Sequence, residues 1–317
     1  MSKNLDVTIV GAGRYGKELI APVYERNPRS ILRGVISPTT SHEALAATAL
    51  QDVPLFHTVQ GWEKARGKAT RSDLFDLAVH PRVLPGLVED LAAIGAKNFI
   101  FPKPVAVSEE NLGTLRMLKE RHALSIVVAS QWHYSGLTKR IQELIQEGKR
   151  KQALSRIRLD WRQALTGYTP ASALLPHMLQ IVYSCGLVSP TASLTVRSYS
   201  ERHLDVVLSS DGVPIELFTD IQTPERKRTL EVFSEGKEAP ILAADFLAVF
   251  KDGVAINPPN LFYDGKKEEF PEDILGKMTD EVVQAFLDNS IEKDSSILTF
   301  DRYVPVNELL LRILKTL

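Results

Sequence analysis

Short apolar runs and stretches with helical spacing alternate through the first 130 residues. Leu5–Val10 (LDVTIV) has the pattern of a buried strand, β-branched and without a turn residue. Residues 17–26 have helical spacing, and 30–37 (SILRGVIS) form a second apolar run. A strand, a helix and a strand one crossover later make a βαβ unit. The alternation continues with an Ala-rich helix over 41–50, a strand over 73–80 (DLFDLAVH) and a helix over 85–94 that stops at Gly95. A short strand over 98–101 follows, then a helix opened by Ser108. Glu109 and Glu110 stand in its first turn, where negative charge suits the helix dipole. The run closes on a strand over 125–130 (SIVVAS). Strands alternating with helices predict a doubly wound parallel sheet covered on both faces.

The period changes beyond this point. A helix over 136–147 is expected to end at Gly148. Residues 155–163 (SRIRLDWRQ) alternate strictly, with Arg156, Arg158, Asp160 and Arg162 on one face and Ile157, Leu159 and Trp161 on the other. Period two over that length is a half-exposed strand. Further strands are predicted over 193–198, 203–209, 214–221 and 229–234, with Asp211-Gly212 as a hairpin turn between two of them. Helices return over 278–287 and 305–317, and the charged run 266–273 (KKEEFPED) reads as a solvated loop. The expected architecture is therefore a Rossmann domain, 1–125, and an α+β domain with a mostly antiparallel open sheet, 126–317. The last helix, 305–317, is expected to pack back on the first domain.

Composition narrows the functional classes. Lys plus Arg is 38 and Asp plus Glu is 39, a net charge of -1, which argues against a protein that coats nucleic acid. The single cysteine, Cys185, excludes an internal disulfide framework and a multi-thiolate metal site, and fits a reducing compartment. No secretory leader and no apolar run near the roughly 20 residues that span a bilayer are evident. The expectation is a cytoplasmic protein with no nucleic-acid or membrane partner and no metal.

The strongest chemical signal is Gly11-x-Gly13-x-x-Gly16, directly after a strand and opening a helix. The first glycine allows a tight turn, the second lets backbone approach a pyrophosphate, and the third lets helix and strand pack closely. The helix start supplies N–H groups and partial positive charge. The competing reading is a glycine turn that serves packing alone. Gly11, Gly13, Arg14, Tyr15 and Gly16 are candidate cofactor contacts. At the end of the second strand an NAD enzyme usually carries an acid on the ribose. Here Ser37, Pro38, Thr39, Thr40 and Ser41 follow Ile36, with no acid before Glu43. Hydroxyls at Ser37, Thr39 and Thr40, with Arg14, suit a 2′-phosphate, so NADP (NADPH) is favoured and NAD is the alternative. The bland reading is a chain turn and helix cap. His80 and Pro81, ending the 73–80 strand, are candidate cofactor neighbours.

Lys103 lies in Phe101-Pro-Lys-Pro-Val105, just past the 98–101 strand, where strand ends face the cofactor crevice. A lysine there can bind a substrate oxygen, orient the nicotinamide or assist proton transfer; the alternative is a solvated charge. An amino-terminal strand with this glycine pattern, a Lys-Pro pair after the fifth strand and then an α+β domain together resemble the glucose–fructose oxidoreductase/inositol dehydrogenase family (Gfo/Idh/MocA). The family motif is usually Glu-Lys-Pro; here it is Pro102-Lys103-Pro104. The family also places an Asp and a His four apart on the first helix of its second domain. Within 171–186 of this chain the His position falls on His177 and the Asp position on Ala173, with Gln180 where many relatives carry another Asp.

The resemblance implies a site role for His177, whose imidazole titrates near neutrality and can exchange the proton that accompanies hydride transfer. Taken alone, His177 on an apolar helix reads as structural. Trp132, His133 and Tyr134 follow the last strand of the first domain, and domain junctions favour ligand pockets. They and Tyr168 are candidate substrate contacts, against ordinary packing. The Arg156/Arg158/Arg162 face reads as solvated or paired with a partner subunit, as the resemblance implies for a homo-oligomer of two or four copies. Cys185, at the end of the His177 helix, reads as a packing residue.

The function implied is an NAD(P)H-dependent oxidoreductase working in the reductase direction on a carbonyl or imine carbon of a small molecule, with Lys103 and His177 as its acid/base pair. Sugar and polyol relatives usually keep the two acids absent here, and the family includes imine reductases. The alternative is a dinucleotide-binding sensor or scaffold that has lost catalysis.

Overall fold

The computed structural model describes residues 4–149, 154–247, 249–251 and 254–317. They fall into two compact units: the chain up to Ser130 together with Leu275–Val304, and Gln131–Ile274 together with Pro305–Leu317.

In the first unit the chain runs β1 (Leu5–Val10), a π-helical turn (Tyr15–Ile20) continuing as α1 (Ala21–Arg26), β2 (Ser30–Ile36), β3 (Leu55–Phe56), α2 (Val59–Arg66), β4 (Asp73–Leu77), α3 (Leu84–Ala93), β5 (Asn98–Phe101), α4 (Glu109–His122) and β6 (Ser125–Val128). The strands form one sheet in the order β3-β2-β1-β4-β5-β6, and every pairing is parallel. Strand β4 is buried along its whole length, as expected of a parallel strand covered on both faces, with Asp73 and Asp76 buried beside Leu74, Phe75 and Leu77. Its Phe75 stands beside Phe99 of β5 and meets Trp62 of α2 edge-on at 5.2 Å. Trp62 Nε1 in turn donates to the buried Thr8 hydroxyl, so the indole's polar end is satisfied inside the core. Phe99, Phe101 and Phe300 continue this ladder.

The second unit opens with α5 (Gln131–Tyr134) and α6 (Gly136–Lys149). Then come β7 (Leu154–Arg162), α7 (Pro170–Ala173), α8 (Leu175–Ser184), β8 (Ser193–Tyr199), β9 (His203–Ser210), β10 (Val213–Asp220) and β11 (Lys227–Ser234). β12 (Leu242–Asp245), a hairpin of β13 (Val249–Lys251) and β14 (Val254–Asn257), β15 (Asn260–Tyr263) and β16 (Lys266–Glu269) follow. The large sheet has the order β16-β15-β12-β11-β7-β10-β9-β8 and is antiparallel except where β10 meets β7. One face buries Ile157, Leu159 and Trp161 with Leu204, Val206, Ile215, Leu217, Leu230 and Val232. The Asp211-Gly212 turn has φ of +54° and +80°, the pair of positive values a two-residue hairpin needs. Helices α9 (Ile274–Leu287) and α10 (Phe300–Thr316) end the chain. Among the described residues no helix is long and apolar enough to cross a membrane.

Several expected elements differ. The first unit extends to Ser130, because β6 is a full member of its sheet, and it is 275–304 that returns to it; 305–317 belongs with the second unit. Residues 41–50 are not a helix but one short 3-10 turn at Glu43–Leu45 within a looped segment. Ala47 there has φ +59°, and the Thr48 hydroxyl donates to the Leu45 carbonyl while accepting from the Leu50 N–H. Such side-chain bonds compete with a helix ladder. Helix α6 passes through Gly148 to Lys149 rather than ending there. The charged run at 266 begins as the edge strand β16, exposed along its length and paired with β15.

Candidate active site

Because β1, β2, β4, β5 and β6 are parallel, their carboxyl ends share one edge of the first unit's sheet. Gly11, Ser37, Ala78, Pro102 and Ala129 stand there, each one residue past its strand. Gly11 has φ +98°, and a Cβ on it would lie 2.5 Å from the Ala78 carbonyl oxygen. A Cβ on Gly16 would lie 2.2 Å from the Gly11 carbonyl oxygen. The fold itself therefore requires glycine at both positions. Gly13 differs: a Cβ there would meet nothing within 4 Å. The protein makes no steric demand for the middle glycine, which is the position that lets a phosphate approach the backbone. The helix beginning beside it leaves N–H groups without intrahelical acceptors. These residues fit a dinucleotide pyrophosphate.

At the end of β2, Ser37 is buried and its hydroxyl is 2.7 Å from that of Thr40. Thr39 is exposed. Arg14 is almost fully exposed and pairs with Glu18. Two further residues converge here. Lys17 reaches the Ala44 carbonyl at 3.5 Å, and the His57 ring lies 3.1 Å from the Ser37 carbonyl. Lys17 was visible as the residue directly after Gly16, but His57 carried no signal. No acid occupies positions 37–42.

Tyr15 is half-buried, and its hydroxyl is pushed up by burial and by the nearby Asp76 carboxylate. Asp76 on β4 is buried and accepts a 2.8 Å hydrogen bond from the Tyr24 hydroxyl; burial raises its carboxyl to about 7. His80 is exposed, and its Nδ1 accepts from the Arg82 N–H to cap the short turn Pro81–Val83; Pro81 is buried.

Lys103 is partly buried, precedes a cis peptide to Pro104, and donates from Nζ to the Ala129 carbonyl at 3.4 Å. Burial pulls its ammonium down to about 7, the range in which a lysine gives up and recovers a proton near neutral pH.

In the second unit, Trp132 and Tyr134 are buried and His133 is half-buried, its Nδ1 3.2 Å from the Ser184 hydroxyl. Trp132 packs edge-on against Phe246 at 5.0 Å and against Trp161 at 6.4 Å. His177 lies on α8 with its ring 5.6 Å from that of Trp161. Gln180, one turn on, is buried and donates to the Ser184 hydroxyl at 2.6 Å. Arg228 on β11 lies over the same Trp161 ring at 5.1 Å. The structure thus groups Trp132 and His177 around Trp161 and adds Arg228, which sequence reasoning missed. Tyr168 is 61% exposed and lines a separate cavity of about 680 Å³ with Gly167, Ser172 and Gln222. Cys185 is buried, with Sγ near the Thr138 carbonyl. The arginine face of β7 is organised around Asp160, which is buried and accepts from Arg162 through two nitrogens and from Lys227 at 2.9 Å.

Searches against family models and against curated proteins find no match. Solved structures do match over nearly the whole chain. KijD10, a 3-ketoreductase from Actinomadura kijaniata solved in complex with NADP, aligns at a TM-score of 0.75 and 11% identity, covering 99% of this chain and 97% of that one. This chain shares the fold of that structure. The UDP-N-acetylglucosamine 3-dehydrogenase GnnA from Acidithiobacillus ferrooxidans aligns at 0.70 and 15% identity, covering 98% and 96%. GenD2 from gentamicin A biosynthesis, solved in complex with NAD, aligns at 0.72 and 16% identity, covering 98% and 93%.

Proposed function

We propose that this chain is a nicotinamide-dependent oxidoreductase of the Gfo/Idh/MocA type that reduces a carbonyl or imine carbon of a small molecule, with NADPH as the favoured cofactor. The observation that carries the proposal is the shared sheet edge. It holds a glycine turn whose middle residue has open space at its Cβ, and a lysine poised to titrate near pH 7. The relatives of the same fold that are solved with NADP or NAD support the cofactor class.

Gly11, Gly13 and Gly16 with the N–H groups of the π-helical turn would hold the pyrophosphate. Ser37, Thr39, Thr40, Arg14, Lys17 and His57 would surround the adenosine ribose. The absence of an acid at 37–42 removes the repulsion a 2′-phosphate would meet, and this favours NADPH over NADH. The bound nicotinamide would supply the hydride. Lys103 would hold the reacting oxygen or nitrogen and deliver the proton from Nζ. His177, whose ring lies 5.6 Å from that of Trp161, would act as the second acid/base that the family resemblance implies.

The test is nicotinamide fluorescence on titration with NADPH and then NADH. Saturable enhancement, tighter for NADPH, is expected. Absence of binding by either nucleotide refutes the proposal. Binding without turnover on any carbonyl or imine compound points instead to a dinucleotide sensor.

A further inference from the structure

Arg228 is a half-buried cation of the second unit with no counter-ion among the described residues. In register with Trp161 of β7, it projects from the same inner sheet face as Leu230 and Val232, while Thr229 and Glu231 alternate to the other face. Its guanidinium lies over the Trp161 ring, and Nη2 donates to the Gln163 side-chain oxygen at 2.7 Å. Nε is buried without an acceptor. Among the described residues Arg228 forms no ion pair. The one carboxylate near enough to be felt, Asp245, stands opposite Thr229 rather than Arg228, and its Oδ1 already accepts from the Leu247 N–H. Arg226 adds like charge, and burial together with that charge pulls the guanidinium down to about 10. A desolvated cation with an unused donor is costly unless an anion joins it. The planar fork of arginine suits the two oxygens of a carboxylate or phosphate.

We propose that Arg228, held between Trp161 and Gln163, anchors an oxyanion, carboxylate or phosphate, carried by the substrate. Its placing as a substrate site rests on the oxidoreductase reading, since His177 touches the same indole from α8; the charge argument stands without it. The molecule reduced is then an anionic carbonyl or imine compound, such as an oxo acid or its imine, held by its charged end against Arg228.

The experiment uses the full chain and a matched pair of probes, pyruvate and its neutral amide pyruvamide, followed by ligand-observed NMR. Wild type is expected to bind pyruvate at least tenfold more tightly than pyruvamide. In Arg228→Met that preference falls to about one. In Arg228→Lys, which keeps the charge and loses the fork, it is intermediate; this variant carries the test if Arg228→Met does not fold. Inorganic phosphate that displaces pyruvate extends the site to phosphate-bearing substrates, and phosphate that does not displace it assigns the site to carboxylates; each upholds the anchor. Equal binding of the two probes by wild type, or a preference that survives in Arg228→Met, overturns it. NADPH titration of the same samples separates the two readings: loss of nucleotide binding with the anion preference intact removes the oxidoreductase and leaves the anchor.

Discussion

A Cβ placed on Gly16 would lie 2.2 Å from the carbonyl oxygen of Gly11, so the first and last glycines of the turn are locked against each other by the fold. Backbone cannot yield as a flexible side chain does. Gly16→Ala is expected to cost roughly 3 kcal/mol or more, the upper range of overpacking. Gly13→Ala meets nothing and is expected to stay within about 1 kcal/mol of wild type, while NADPH affinity falls at least about tenfold. Thermal melts and nucleotide titrations of the two variants check this opposition. Unchanged NADPH affinity in a folded Gly13→Ala would remove the phosphate from this turn.

Lys103 sets a pH dependence with a definite sign. Burial pulls its ammonium down to about 7, so the proposed proton donor is charged below that pH and neutral above it. The reductive rate at saturating cofactor is expected to be flat below about 7 and to decline above it, and the oxidative rate to show the opposite limb. A profile without an inflection near 7 in either direction argues against Lys103 as the proton carrier.

Asp76 predicts a stability effect in an adjacent window. Its folded value is raised from the usual 3.8 to about 7, so the native state keeps a proton that the unfolded chain releases. Stability therefore falls as pH rises from about 4 to 7, and above 7 the full cost of a buried carboxylate is present. Asp76→Asn is expected to remove this slope while the Asn oxygen still accepts from Tyr24. Denaturant melts at pH 5 and pH 8 on both proteins measure the difference; equal slopes would place Asp76 in a better-solvated site.

Asp160 acts in the opposite sense. Arg162 and Lys227 hydrogen-bond its carboxylate and hold it below the usual range despite burial. Its contribution is present above the unfolded value and is lost as pH falls through the folded one. Asp160→Asn is expected to cost about 1–3 kcal/mol near neutrality, the range for hydrogen bonds to charged groups. The difference from wild type should shrink in acid, as equilibrium unfolding at the two pH values will show.

The parts of this molecule that were legible in sequence are those governed by local rules. The β1 run, the glycine turn, the period-two pattern of β7 and the Asp211-Gly212 hairpin each announce themselves within a few residues. What was not legible depends on distant partners. An Ala-rich segment at 41–50 has helical composition, but the Thr48 side chain and the positive φ of Ala47 settle it as turns. The KKEE run forms a strand because β15 offers it an edge, not because its residues favour one. The return of 275–304 to the first unit has no local cue. Lys103 was singled out as a candidate from its place after a strand, whereas Arg228 was not. Arg228 stands one residue before the strand expected over 229–234, and only the observed register sets it beside Trp161.

The central claim is that Lys103 supplies the proton for reduction by bound NADPH. It is tested most directly by NADPH oxidation over a panel of anionic and neutral carbonyl and imine compounds, with wild type and Lys103→Met both first shown to bind NADPH. The account predicts substrate-dependent oxidation by wild type and a loss of roughly a hundredfold or more in Lys103→Met, the usual contribution of a general acid. Near-normal turnover by Lys103→Met would contradict it.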